Sequence, residues 1–489
     1  MTNALLLNIA IILFGWRKLR DLQAKLDESS HAAAEARRLA DIDPLTGCLN
    51  RRSIAPALFE LVVEAKNDNR SVAVILVDLD NFKQVNDLNG HHVGDQVLGA
   101  TSERIADVAP VHSVLARLGG DEFVVGVPYD GSDRDGVERL ASRMIAAVAE
   151  PLILSSGKVE ITMSVGICSS DELRGFDDEE EVSTQLLRQG DIAMYQAKKL
   201  GKNRMVWFET AMEHELRFRN DLESGIRRGL ENGEFVPYYE QQIDLESGEL
   251  VGFEMLARWA SPEMGIVSPD IFIPIAEDMG IIAELSEQLM AQAFEDARDW
   301  ASSLSISVNI SPVQLRDPWF SQKLLKLLVQ HNFPASRLDI EVTESCLHEN
   351  VGMVRSMITS LRNQGVSVSL DDFGTGYSSL SQLRTLPFDR LKIDRSFIRH
   401  LENGEAETKL VDAIVAMGDG LSMPITAEGI ENAEVLETLR GMGQLKGQGY
   451  HYGRPEPAAA VRERLTARGL LQGENGEPAI ASAKRSQTA

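Results

Sequence analysis

The sequence predicts an α/β protein of two domains, a mixed αβ unit followed by a (β/α)₈ TIM-like barrel, with a short apolar segment and a helical linker in front. Three observations predict it. Short apolar runs in the second half (SISVNI, LDIEV, SVSL, RLKI, MPITA) alternate with helical stretches; this is the pattern of parallel βα units, and about eight of them close a barrel. Chemically capable residues stand at the ends of such runs, namely Glu254, Asn309, Glu341, Asp371, Asp372, Lys392 and Glu428, and strand ends on one face of a barrel carry its chemistry. In the first half, the continuous apolar run Val72–Val77 reads as a central strand, and segments 113–118 and 122–128 flank Gly119-Gly120 as a hairpin.

In chain order, residues 4–16 are apolar except for Asn8 and are followed by Arg17-Lys18-Leu19-Arg20. A spanning helix needs about 20 apolar residues, so residues 1–16 read as a short membrane anchor, as a buried or partner-bound helix, or as an interfacial segment. The basic cluster would remain in the cytoplasm, and no small-residue cleavage site follows. Over 17–42, Leu19, Leu22, Leu26, Ser29, Ala33, Ala36 and Ala40 keep a 3,4 spacing, which suits a coiled coil or a solvated linker helix. The first domain is expected over 43–206, with a helix over 183–199 stopped by Gly201. A joining helix is expected over 207–229, the barrel over 230–470, and a polar, disordered tail over 471–489.

Composition narrows the function. Of 489 residues, 49 are basic and 74 acidic, a net charge of −25, so a nucleic-acid polymer is not an expected partner. A small anionic nucleotide remains possible if metals and a few local cations supply positive charge. Cys48, Cys168 and Cys346 are far apart and form no zinc or disulfide framework, which fits a reducing cytoplasm.

Two sites follow. Asp78 and Asp80 end the central strand, and Asp121 and Glu122 lie at the hairpin turn; if strand and hairpin are neighbours, these carboxylates face each other and suit two Mg²⁺ ions. Asp191, Tyr195 and Lys198 share one helix face, with Lys202 just beyond. Taken singly, the turn is also a plain hairpin and Lys198 a solvated charge. The barrel's carboxylates cannot stay unpaired when buried. Oxygen-rich ligands suit Mg²⁺ or Mn²⁺, and two such ions suit phosphoester cleavage.

The first half resembles the GGDEF domain of diguanylate cyclases. The motif stands as Arg117-Leu118-Gly119-Gly120-Asp121-Glu122-Phe123, with Asp43-Pro44-Leu45-Thr46-Gly47, Asp78-Leu79-Asp80-Asn81-Phe82-Lys83, Asn86, Gly94-Asp95 and Tyr195-Gln196-Ala197-Lys198 around it. The resemblance implies a ferredoxin-like, nucleotidyl-cyclase-type fold. It implies Mg²⁺ on Asp78 and Asp121, with Glu122 beside the reacting hydroxyl. Asn86 and Asp95 would read guanine, and Lys83, Lys198 and Lys202 would bind phosphates. Two GTP-loaded domains must meet to make cyclic di-GMP, so a homodimer is expected. The RxxD of the family's inhibitory product site is replaced by Pro110-Val111-His112-Ser113, so no inhibition through it is expected.

The second half resembles the EAL domain, the cyclic di-GMP phosphodiesterase. Its stations are Glu254-Met255-Leu256, Asn309, Glu341-Val342-Thr343-Glu344, Asp371-Asp372-Phe373-Gly374-Thr375-Gly376, Lys392-Ile393-Asp394, Glu428-Gly429-Ile430-Glu431 and Gln448-Gly449-Tyr450. The resemblance implies two metals held by Glu254, Asn309, Glu341, Asp371, Asp372 and Glu428. Lys392 would orient the attacking water, and Glu428 is a ligand or general base. Glu344 would brace the loop after Asp372, and Glu431 would be structural. Arg258 and Gln448 would contact the dinucleotide. The product the resemblance implies is pGpG. Met255 replaces the motif's alanine, and Glu240-Gln241 replaces the usual Gln-Pro, which bears on substrate affinity rather than on the metals.

The expected function is cyclic di-GMP turnover, with the first domain condensing GTP or binding it as a regulator. The alternative is a receptor and scaffold without catalysis. Asp372-Phe373-Gly374 spells a kinase motif, but neither an HRD loop nor a Gly-rich ATP loop accompanies it. His91-His92 reads as a surface loop feature.

Overall fold

The computed structural model describes residue 18 and residues 41–154, 157–173, 178–348, 351–374, 380–402 and 405–472. They belong to two compact units, Met1–Phe218 and Arg219–Ala489. The expected anchor, nearly all of the expected linker helix, Thr375, Gly376 and residues 473–489 lie outside the described residues. Among the described residues, no helix is long and apolar enough to cross a membrane.

The first unit runs β1 (Leu49–Asn50), α1 (Ile54–Asn67), β2 (Ser71–Leu79), α2 (Phe82–Asn89), α3 (His91–Val108), β3 (Val114–Gly119), β4 (Glu122–Tyr129), α4 (Arg134–Ala149), β5 (Met163–Ser169), α5 (Glu179–Lys199) and β6 (Met205–Trp207). The sheet order is β1-β3-β4-β2-β5-β6. Every residue of β2 is buried, because its two faces feed separate cores. Ala73, Ile75 and Val77 pack with Val97, Ile105 and Met144. Val72, Val74 and Leu76 pack with Leu58, Leu186 and Met194. This is the period-two alternation of a strand covered on both sides. Helix α5 lies hard against β5: a Cβ on Gly166 would come within 2.1 Å of the Gly190 carbonyl. That approach brings the end of α5 to the end of β2. His91 and His92 begin α3 as exposed helix residues, not as a loop.

Helix α6 (Thr210–Asn232) runs across the boundary at Phe218, and eight barrel strands follow it in the second unit. They are β7 (Phe235–Asp244), β8 (Leu250–Ser261), β9 (Ser305–Asn309), β10 (Leu338–Thr343), β11 (Ser367–Phe373), β12 (Arg390–Ile393), β13 (Ile425–Ala427) and β14 (Leu445–Gly447). They pair in sequence from β8 to β14, and β7 closes the ring between β14 and β8. From β8 to β14 the pairing is parallel, but β7 is antiparallel to both neighbours. The expected βα unit is missing there because β7 and β8 are joined by a tight turn. Asp244 accepts hydrogen bonds from the Ser247 amide and hydroxyl, and Gly248 adopts φ +72°; a parallel crossover needs a dozen or more residues.

Two smaller corrections follow. Glu254 lies within β8 rather than at its end, because the strand continues past the barrel to pair with Gly265–Val267. The expected tail is also anchored at its start: Leu471 bridges Trp300, and the Gln472 amide donates to the Asp299 carbonyl at 2.7 Å.

Candidate functional site

Lys392 is the centre of the barrel site. Its side chain is 1% exposed, and Nζ lies 2.6 Å from Glu341 and Glu428, 3.2 Å from Glu254 and 3.3 Å from Asp371. Burial disfavours the ammonium, but Asp371, Glu254, Glu341 and Glu428 outweigh it and hold its pKa well above the usual lysine range. One cation cannot satisfy four carboxylates. Burial and then the Glu254 charge push Glu341 well up. Burial also raises Asp371 and Glu428. At Glu254, Lys392 and the amides of Gln448 and Asn309 overcome burial and keep the carboxyl below its ordinary value.

Asp371 and Asp372 are consecutive, and in a regular strand they would point to opposite faces. A bulge between Leu370 and Phe373 breaks the β11–β12 register. Asp372 takes φ +55°, a conformation that costs a non-glycine residue energy and clusters at functional sites. Ligand oxygens of Asp371, Asp372 and Glu428 consequently lie within 4.8 Å of one another, as do those of Glu254, Glu341 and Asp371. Burial, then Asp371, pushes Asp372 up to about 6. The Gly374 amide donates to Glu344 at 3.1 Å, fixing the chain just after the bulge. Asn309 donates its amide to Glu254 at 2.6 Å, leaving its side-chain carbonyl for another partner. Two carboxylate triplets sharing Asp371 fit a pair of divalent cations, each taking oxygen ligands.

The cluster opens into a cleft of about 480 Å³ lined by Glu240, Arg258, Arg395, Gln448 and Tyr450 among others. Arg258 lies over the Tyr238 ring at 5.6 Å. Gln448 turns its amide onto Glu254 at 2.5 Å and Glu428 at 3.2 Å. Glu431 pairs with Arg399 at the rim. Glu240 faces Glu254 across the β7–β8 pair. It has no hydrogen-bond or ion-pair partner among the described residues, and burial and Glu254 push it up to about 7. Met255 is buried in the barrel core. Ser307 and Gln242 were not singled out from sequence, yet Gln242 donates to Ser307 at 3.1 Å and to Gln448 at 3.2 Å. The available signal was two consecutive amides after Glu240 in a strand that also carries Phe235, Val236 and Ile243, since buried amides must find partners.

The first unit's site is built on the β2–β4 pair, which sets Asp78 opposite Glu122. The turn has Gly119 at φ +142° and Gly120 at φ +55°. Arg117 braces it by donating to the Gly120 carbonyl at 2.7 Å and to Asp43 at 3.3 Å. Lys198 reaches Asp78 at 2.7 Å. Burial, then Asp78 and Asp191, raises Glu122, and burial raises Asp78 against the pull of Lys198. Asp80 does not join them: it accepts from Thr162 at 2.7 Å, Ser164 at 2.6 Å and the Asn203 amide at 3.1 Å, so it ties strand ends together. Lys202 bonds Asn81 at 2.8 Å. Asn86 lies against Gly94, where a Cβ would come within 1.9 Å of its Oδ1, so the two helices approach closely beside the exposed Asp95. Lys83 and Asp121 bond no described side chain, and among the described residues no third carboxylate completes a tight cluster here.

Comparisons with known proteins agree with this division. Residues 40–204 match the model for "Diguanylate cyclase, GGDEF domain", and residues 223–455 match "EAL domain". An uncharacterized signaling protein of Caulobacter vibrioides is 36% identical over 450 residues, 92% of this chain and 54% of that protein. An uncharacterized protein of Mycobacterium tuberculosis is 33% identical over 454 residues, 92% of this chain and 71% of that one. The bifunctional diguanylate cyclase/cyclic di-GMP phosphodiesterase MucR of Pseudomonas aeruginosa is 34% identical over 445 residues, covering 89% of this chain and 64% of MucR. The chain spans about half the length of the first curated relatives it matches.

Proposed function

We propose, from the premise that this chain belongs to the family of tandem GGDEF–EAL proteins, that its barrel hydrolyses cyclic di-GMP to pGpG. The first unit binds GTP and condenses two molecules of it when two loaded domains meet, which makes a homodimer the working form of that activity. Both units work in the cytoplasm.

The observation that carries the reading is the pair of carboxylate triplets sharing Asp371 around buried Lys392. Glu254, Asn309, Glu341 and Asp371 would hold one Mg²⁺ or Mn²⁺, and Asp371, Asp372 and Glu428 the other. When bound, the ions supply Lewis acidity toward the phosphate and the attacking water. Lys392 orients that water and offers positive charge to the phosphate. Glu428 is placed to accept a proton. Arg258 and Gln448 hold the dinucleotide, and Glu344 keeps Asp372 aimed at the site. One P–O bond forms to the water oxygen and one P–O3′ bond breaks. The 3′ oxygen leaves protonated, and the linear dinucleotide is released.

In the first unit, Asp78 and Asp121 would hold Mg²⁺ and Glu122 would face the reacting 3′-hydroxyl. Asn86 and Asp95 would read guanine, and Lys83, Lys198 and Lys202 would meet the triphosphate. The test is chromatography of nucleotides from the parent chain and Glu254→Ala, each with Mg²⁺ or EDTA. Formation of pGpG only by the parent with Mg²⁺ supports the reading. Equal pGpG from Glu254→Ala refutes the ligand assignment.

A further inference from the structure

Strand β7 carries two buried amides, Gln241 and Gln242, each 4% exposed. Neighbours on a strand point to opposite faces, and these two reach the same loop from both sides. Gln242 donates to Ser307 Oγ at 3.1 Å and to Gln448 Oε1 at 3.2 Å. A glutamine whose oxygen is taken by a donor must present its NH₂ at the other end. Gln448 does so, giving that NH₂ to Glu254 and Glu428. Gln241 donates to the Tyr452 carbonyl at 2.7 Å. A Cβ on Gly453 would lie 3.1 Å from the same nitrogen.

Between these two anchors the loop packs closely on Ile430, whose amide donates to the Gln448 carbonyl at 3.1 Å. Gly449 has φ +149°, and a Cβ there would sit 2.3 Å from the Ile430 backbone. Next comes Tyr450, half exposed on the cleft wall, with the Arg454 guanidinium 4.8 Å from its ring. The face presented to a ligand is therefore fixed from behind by a barrel strand.

We propose that Gln241 and Gln242 are positioning residues that pin the Gln448–Arg454 loop, so that Gln448 and Tyr450 meet the dinucleotide already ordered. The inference rests on the phosphodiesterase reading of this cleft. The Tyr452 anchor depends on the Gln241 side-chain amide, because a side chain without an N–H has no donor for that carbonyl. Preordering a wall removes an entropic cost of binding, and its loss falls on affinity before chemistry.

The test uses the full chain with cyclic di-GMP and Mg²⁺. Gln241→Met keeps the shape and deletes the donor, Gln241→Pro deletes the donor together with the side chain's reach, and Gln241→His returns a donor at similar reach. Gln241→Met and Gln241→Pro should raise KM about tenfold, the lower end of what supporting contacts contribute, with kcat within about threefold of the parent. Gln241→His should recover most of KM. Gln242→Met should raise KM as well, and the double variant should exceed either single one. An unchanged KM in folded Gln241→Met and Gln241→Pro overturns the proposal, as does a fall in kcat alone. Calorimetric titration with cyclic di-GMP in EDTA separates the two readings. A parent that makes no pGpG defeats the phosphodiesterase, while the Kd ratio still decides the inference, and equal Kd values sink it.

Discussion

The two sites answer the same problem, buried negative charge, in different ways. In the barrel, four carboxylates converge on one fully buried ammonium, and the side-chain amides of Asn309 and Gln448 hold two of them, Glu254 and Glu428. In the first unit, Asp78 leans on Lys198, whose side chain is about a third exposed at 34%, and Asp121 stands without a described side-chain partner. The barrel encloses its charge and supplies its own scaffold. The first site leaves its charge partly exposed, with one lysine as the only cation paired to it among the described residues. Enclosure raises the stakes of each residue in the barrel, because an unpaired buried charge costs far more than an exposed one.

Substitutions can break that comparison. The largest effect is expected from Glu254→Ala, which should lower hydrolysis by about a thousandfold, the scale of a lost transition-state electrostatic contact, and leave cyclisation intact. Asp121→Ala should be its mirror, abolishing cyclic di-GMP synthesis from GTP while pGpG formation continues at the parental rate. If Asp121→Ala also stopped hydrolysis, the two sites would not be separable as described.

Stability sharpens the contrast further. Lys392→Met strands several buried carboxylates and should cost the metal-free protein roughly 3–5 kcal/mol, read by denaturant unfolding in EDTA. Lys198→Met removes a half-screened pair and should cost about 1 kcal/mol or less. Comparable losses would mean that the barrel cluster is not the closed charge system the distances indicate.

A further contrast concerns pH. Glu240 has its folded pKa raised from 4.5 to about 7 by burial and Glu254. Between those values the folded chain keeps a proton that the unfolded chain has released, so stability contributed at low pH declines as pH rises through this window. Glu240→Gln should flatten that part of the melting-temperature profile in EDTA. An unaltered slope would place the titration elsewhere.

Much of this was legible in residue order. The alternating runs gave the barrel strands, and the Gly119-Gly120 turn lay where the hairpin required it. What escaped was set by geometry that leaves little trace in composition. The antiparallel β7 depends on a turn too short for a helix. The shared aim of Asp371 and Asp372 depends on a one-residue bulge, and nothing in SVSLDDF distinguishes a bulged strand from a straight one. Asp80 sits two residues from Asp78, as a ligand pair would, but Thr162, Ser164 and Asn203 claim it from distant parts of the chain. Gln242 and Ser307 were hidden because their roles exist only through Gln448.

The most direct test of the central claim is hydrolysis of cyclic di-GMP by the full chain with Mg²⁺ in ¹⁸O-water, with products read by mass spectrometry. The account predicts pGpG carrying one ¹⁸O on its terminal phosphate. Cyclic di-GMP recovered intact, though bound, would contradict it and make the barrel a receptor.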